Sequence, residues 1–214
     1  MLQNYLFDFD GTLADSGTTT VDAIQAVFAD YKFTQPSADE IRYYMGIPIE
    51  TSFPIWTDHQ ADDKTLAAMY ADFRQIYGEL ERVNIKLFAG IKDVLATLQA
   101  DNKELFVVTS KASGAIKRSL KQLAIEQYFT GTIGSDQVDH YKPAPDGVLN
   151  IARQYQLNLD QCIMIGDAKY DLQMGNAAGV ATCGCKWGAY DVASLEKEKP
   201  TYLIDHPQEL LTLR

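Results

Sequence analysis

The stretch Tyr5-Leu6-Phe7-Asp8-Phe9-Asp10-Gly11-Thr12-Leu13-Ala14-Asp15-Ser16 is an apolar run that ends in two carboxylates and a glycine turn. The apolar part reads as a strand and the remainder as the loop at its carboxyl end. Side chains alternate along a strand with period two, so the pattern predicts that Asp8 and Asp10 point to the same side, their Cα atoms roughly 6.6 Å apart. Two like charges converging at a strand end are costly unless a cation lies between them or one carboxyl keeps its proton. Either arrangement suits catalysis better than scaffolding. The bland alternative is a capped strand end with two solvated aspartates. Gly11 permits a sharp turn, and Thr12 adds a hydroxyl and an amide where an anion can be held.

A chain of 214 residues with 46% hydrophobic content suits one domain, or one domain with a smaller insertion, and has enough apolar material for a core. The first residues show no basic region ahead of an apolar segment, and nothing approaches ~18 consecutive apolar residues. The expectation is therefore a cytoplasmic protein without a signal peptide or membrane span. The three cysteines form no disulfide-framework spacing, and the Cys183-x-Cys185 pair lacks partner Cys or His residues for zinc. Reduced, mostly structural thiols are expected, with Cys183-Gly184-Cys185-Lys186-Trp187-Gly188 packing and turning near the last strands. A formal charge of −10 without a basic stripe argues against a nucleic acid polymer as partner. A small phosphorylated metabolite stays admissible, because charges beyond ~8 Å are largely screened and a local cation can dominate a site. The oligomeric state is left open.

Downstream of Ser16, Val21, Ile24, Val27, Phe28 and Tyr31 fall at helical spacing. Ser37-Ala38-Asp39-Glu40 has the form of a capping box for a second helix through Ile41 and Tyr44, stopped by Gly46 and Pro48. Thr51-Ser52-Phe53-Pro54 comes next with no element assigned to it, and polar connectors follow. From Asp63 a longer helix carries Leu66, Met69, Tyr70, Phe73, Ile76, Tyr77 and Leu80 on one face. No convincing strand occurs from about 17 to 82, which suggests an inserted helical unit. Beyond it, short apolar runs at Leu105–Val108, Gly131–Ser135 and Cys162–Ile165 alternate with amphipathic helices, and Val180–Thr182 and Tyr202–Ile204 are further strand candidates. Such alternation means parallel strands buried on both faces: an α/β, doubly wound parallel sheet with a Rossmann-like core.

In open parallel sheets, ligands bind outside the carboxyl ends of the strands, beside a reversal of strand order. That rule gathers Asp8 and Asp10, Thr109 and Ser110, and Asp167 with Asp171 on one edge. Lys142, in Lys142-Pro143-Ala144-Pro145, precedes a proline-stiffened turn that opens a helix, and its ammonium is the natural counter-charge.

Four motifs in this order, Asp8-Phe9-Asp10-Gly11-Thr12-Leu13, the strand ending at Thr109, Lys142-Pro143-Ala144-Pro145 and Gly166-Asp167-Ala168-Lys169-Tyr170-Asp171, resemble those of the haloacid dehalogenase-like hydrolase superfamily, in its phosphatase branch with a helical cap. The resemblance implies a core of residues 1–15 and 84–214 and a cap of 16–83. It implies Asp8 as nucleophile forming an aspartyl-phosphate, and Asp10 as the general acid and then base. Mg²⁺ would be held by the Asp8 carboxylate, the Asp10 backbone carbonyl and Asp167, with Asp171 behind them. Thr109 and Lys142 would serve the phosphoryl group, with Gly11, Thr12 and Ser110 near it. Arg42 in the cap is a candidate to grip a carboxylate or second phosphate on the substrate. Tyr141 and Ser110 depart from the commoner Gly and Asn of relatives.

Within the family the cap stretch Ile41–Pro48 is most similar to phosphoglycolate phosphatases and related nucleotidases. A β-phosphoglucomutase-like phosphotransferase is the runner-up, although such mutases often carry Glu where Gly166 stands. Asp10 argues against a dehalogenase or phosphonate hydrolase. From a different class, a receiver-type or phosphate-sensing protein also uses Asp, a hydroxyl, Lys and Mg²⁺, but the Asp8-x-Asp10 pair and the helical insert speak against it.

Overall fold

Tyr5, Leu6 and Phe7 are buried on both sides because β1 (Asn4–Phe7) is an inner strand of a six-stranded parallel sheet. The computed structural model describes all residues, 1–214. β1 pairs in register with β4 (Glu104–Val108) on one side, Tyr5 opposite Leu105, and with β6 (Cys162–Gly166) on the other, Tyr5 opposite Ile163. β5 (Gly131–Ile133) lies outside β4, while β7 (Ala181–Cys185) and β8 (Tyr202–Ile204) follow β6, giving the order β5-β4-β1-β6-β7-β8. The strand order thus reverses between β1 and β6, where a ligand crevice is expected.

The period-two pattern divides the strands between two apolar layers. Tyr5, Phe7, Leu105, Val107, Ile163, Ile165, Cys183 and Cys185 join Ile91, Val94, Leu95 and Leu98 of α5 (Ile91–Ala100) and Ile116 and Leu120 of α6 (Ser113–Gln122). Leu6, Phe106, Val108 and Met164 face the other way, onto Val148 and Ile151 of α7 (Asp146–Tyr155) and Met174 of α8 (Lys169–Ala178). The short α9 (Val192–Lys197) buries Leu195 near the β7 end. No helix is long and apolar enough to cross a membrane.

Between β1 and β4 the chain makes a helical excursion. Two-residue strands β2 (Ala14–Asp15) and β3 (Lys86–Leu87) pair antiparallel at its base, Ala14 opposite Leu87. Between them run α1 (Gly17–Asp30), α2 (Ala38–Tyr43), α3 (Ile49–Trp56) and α4 (Asp63–Asn84). They share an apolar cluster of their own, built on Val21, Ile24, Val27, Phe28, Ile41, Phe53 and Met69. The Ser37–Glu40 capping box forms as the sequence predicts.

Three stretches need comment, and the last of them is a correction. Thr51–Pro54, to which the sequence assigned no element, lies in helix α3: Pro48 sits at its N-cap, and Pro54 is tolerated inside because Phe53 and Trp56 anchor the helix among Phe28, Tyr44 and Tyr70. The stretch from Cys183 to Gly188 packs and turns as expected, with both thiols fully buried at the end of β7 and the turn beginning at Lys186. The last strand of Asp8's element ends at Phe7, before the aspartates, so period-two alternation does not govern Asp8 and Asp10.

Candidate active site

Beyond Phe7 the backbone closes on itself: the Phe9 carbonyl accepts from the amides of Thr12, Leu13 and Ala14. Gly11 takes φ +84°, and a Cβ there would run into the Asp167 carboxylate. The turn sends the two aspartates to different cations instead of to each other. Asp8 is buried, and Lys142 Nζ donates to its Oδ1 at 2.6 Å. Asp10 is half-buried, and Lys111 Nζ and the Tyr77 hydroxyl each donate to its Oδ1 at 3.1 Å.

Around Lys142 the strand tips collect acid. Its ammonium also donates to Asp171 Oδ1 at 2.7 Å, while Asp171 Oδ2 accepts from the Ala168 amide at 3.1 Å, so both Asp171 oxygens are engaged. Asp167 accepts from the Thr12 hydroxyl at 2.8 Å. One ligand atom from each of Asp8, Asp167 and Asp171 lies within 4.8 Å of the others. A Cβ at residue 166 would collide with Asp171, so Gly166 allows that aspartate to stand against the β6 tip. The Asp10 side chain is not in this cluster.

Three carboxylates beside one ammonium leave two negative charges in a buried place. Burial accordingly pushes the Asp8 carboxyl up to about 7, against the pull of Lys142 and with added repulsion from Asp171. Burial, then Asp171 and Asp8, raise Asp167 well above the carboxylate range. Burial alone would lower the Lys142 ammonium, but Asp171 and Asp8 outweigh it and hold it above the usual lysine value. An all-oxygen donor set with two uncompensated charges fits a hard divalent cation such as Mg²⁺.

A second cluster was missed in the sequence. Lys111 donates to Tyr77 at 2.7 Å and lies 3.3 Å from Glu81 Oε1, besides its contact with Asp10. Glu81 in turn accepts from the Ser119 hydroxyl at 2.7 Å. Burial disfavours the Lys111 charge, yet Asp10, Tyr77 and Glu81 overcome it and raise the ammonium. Tyr77 and Glu81 belong to α4 and Lys111 to the β4–α6 loop, so the cluster joins the helical excursion to the sheet edge. Lys111→Met should leave Glu81 and Asp10 without a cation and destabilise the fold by about 3 kcal/mol, measured by urea unfolding. A loss under about 1 kcal/mol would show that solvent already compensates these acids.

The remaining sequence candidates separate. Thr109 is buried, its Oγ1 accepting from the Lys111 amide at 3.2 Å and donating to nothing in the protein. Ser110 donates to the Gly46 carbonyl at 2.7 Å, fastening the α2–α3 turn to the core rather than standing free for substrate. Lys169 makes a similar bond to the Tyr43 hydroxyl at 3.0 Å. A cavity of about 350 Å³ opens over Asp8, Asp10, Thr109, Ser110 and Lys111, roofed by α1–α4. Arg42 is not on its wall: it lies 3.8 Å from Asp39 and borders a separate small crevice. The arginines that reach the cavity are Arg74 and Arg118.

The haloacid dehalogenase-like hydrolase family matches residues 5–185 of the chain. The chain is a haloacid dehalogenase-like hydrolase. A Clostridium perfringens protein provisionally named pyrophosphatase PpaX is 30% identical to this hydrolase over 213 residues, covering 100% of this chain and 97% of its own. The phosphoglycolate phosphatase of Pseudomonas putida is 26% identical, over 96% of this chain and 77% of its own. Among solved structures, a haloacid dehalogenase-like hydrolase of Streptococcus pneumoniae superposes with a TM-score of 0.86 at 28% identity, covering 99% of this chain and 97% of that one. The hydrolase thus has relatives named as phosphatases along its length, and its fold superposes on that of a solved hydrolase of the same family.

Proposed function

We propose that this hydrolase cleaves a small phosphate monoester in two steps through a phosphoryl group carried on Asp8, with residues 16–83 acting as the cap and the rest as the core. The observation that carries this reading is the buried Asp8–Lys142–Asp171–Asp167 cluster at the tips of β1 and β6, beneath a cavity that also receives Asp10. In the first step an Asp8 carboxylate oxygen forms a bond to phosphorus as the bond to the leaving oxygen breaks, and Asp10 gives that oxygen a proton. In the second step water attacks the phosphoryl group, Asp10 takes its proton, and the bond to Asp8 breaks to release inorganic phosphate.

Lys142 holds Asp8 in place and offsets its charge, while the Thr109 hydroxyl has its proton available for a phosphoryl oxygen. Lys111 and Tyr77, hydrogen-bonded to each other, together fix the Asp10 carboxylate through its Oδ1. Asp8 and Asp167, with the Asp10 carbonyl, would hold Mg²⁺, which neutralises charge on the phosphoryl group when bound. Pyrophosphate and phosphoglycolate, named for the relatives, are substrates to try.

Two measurements test the reading. Acid quenching during turnover should leave a phosphoryl group on the peptide that contains Asp8; its presence on any other peptide would move the nucleophile. Chelation with EDTA should stop phosphate release and added Mg²⁺ restore it, because an anionic substrate cannot approach two uncompensated carboxylate charges without a cation. Full turnover after exhaustive chelation would remove the metal from the mechanism.

A further inference from the structure

The walls of the cavity differ sharply from its floor. Above the strand tips the apolar lining is Ile24, Ile41, Tyr44, Ile47, Trp56 and Phe73, from α1–α4 and their turns, with Thr20, Ser52 and Arg74 among them. Of the cations on the lining, Lys111 and Arg74 are already paired with acids, and the remaining one has only a backbone partner. Lys111 is held by Asp10, Tyr77 and Glu81; Arg74 forms an ion pair with Glu50; Arg118, exposed on α6, donates to the Gly114 carbonyl at 3.0 Å. Arg42 is outside. A second anionic group on a substrate would therefore enter an apolar chamber whose one cation without a carboxylate partner, Arg118, is exposed on α6 and not part of the α1–α4 walls, at the cost of its own hydration. At about 350 Å³ the chamber falls in the range that encloses ring-bearing ligands.

We infer that the preferred leaving group is an uncharged, ring-sized apolar alcohol, seated between the α1–α4 walls while its phosphate rests at Asp8. This rests on the phosphatase reading above and narrows it: specificity comes from apolar enclosure, not from a cap cation. The aromatic edges of Tyr44, Trp56 and Phe73 favour a flat ring over a branched chain. The cap is docked for such enclosure through the Ser110–Gly46, Lys169–Tyr43 and Ser119–Glu81 hydrogen bonds.

The test has a catalytic arm and a binding arm. With Mg²⁺, kcat/KM is measured for benzyl phosphate, ethyl phosphate, phosphoglycolate and pyrophosphate. Benzyl phosphate should exceed ethyl phosphate by roughly 10- to 100-fold, the usual return on burying a ring-sized apolar group, and should exceed both doubly anionic substrates. In parallel, calorimetry compares non-hydrolysable benzylphosphonate with ethylphosphonate, and the benzyl compound should bind tighter by a similar factor. Ile47→Lys, a cation placed on a half-buried turn of the wall, should lower the benzyl preference and raise phosphoglycolate turnover. Phosphoglycolate or pyrophosphate matching benzyl phosphate in the unaltered protein would overturn the inference and leave the phosphatase standing. Absence of turnover on every ester, with benzylphosphonate still binding tighter, would overturn the phosphatase reading and uphold the chamber. Equal binding of the two phosphonates overturns the inference whatever the turnover.

Discussion

Asp8→Asn is expected to abolish phosphate release while the protein stays folded. The amide has the shape of the carboxylate but no anionic oxygen to attack phosphorus, and no other carboxylate at the strand tips is both unengaged and placed beneath the cavity: Asp171 is saturated by Lys142 and Ala168. The fold should tolerate the change, since Asp8 carries a destabilised charge. Its carboxyl is raised to about 7 by burial, above the unfolded value, so in chelated protein it favours folding at low pH and loses that contribution as pH climbs through 7. Without metal, the Asn variant should therefore show a higher Tm than the parent above pH 7 and lose the advantage near pH 4. Parent-like turnover in the variant would refute Asp8 as nucleophile. A Tm well below the parent's at pH 8 would show that the Lys142 ion pair outweighs burial.

Asp10→Asn should slow turnover by about 10²–10⁴, the share usual for a general acid–base group, yet keep the affinity for phosphate analogues. An amide in this position can still accept from Lys111 and Tyr77, so the cap contacts persist and the loss reports chemistry rather than collapse. Because the second step needs a base, phosphoryl-Asp8 should build up in the variant when an activated aryl phosphate is supplied, whose leaving group needs no proton. Rapid quench followed by mass measurement of the Asp8 peptide reads this directly. Undiminished kcat, or slowing without accumulation, would take the water-activating role away from Asp10.

Much of this arrangement was legible in the sequence, for reasons particular residues make clear. The strands β1, β4 and β6 are inner strands, so their apolar runs are unbroken, and the family resemblance carried by the four motifs agrees with the match over residues 5–185. What escaped lies where local pattern is silent. α3 hides behind Pro54, and β2 and β3 have two residues each, too few for any period to register. The Lys111–Tyr77–Glu81 cluster joins residues far apart in the chain. One signal was available: Glu81 follows Tyr77 by one helical turn and falls on the apolar face of α4, where a buried acid demands a cation. Arg42 misled because a guanidinium near a cap turn is attractive in one dimension, whereas in three it faces Asp39.

The pairing of Ala14 with Leu87 and Asp15 with Lys86 means that α1–α4 depart from and rejoin the core at a single point. To the sheet, the whole excursion is one long hairpin. Closing such a loop costs free energy that grows only with the logarithm of its length, so a longer, shorter or differently packed excursion could be grafted onto the same two-stranded stem with little burden on β1 and β4. The stem works as a socket. On the function proposed above, the cleavage machinery stays fixed at the strand tips while the part that would read the leaving group can be exchanged as a cassette, so chimaeras joined at Asp15 and Lys86 should change substrate preference on an unchanged catalytic base.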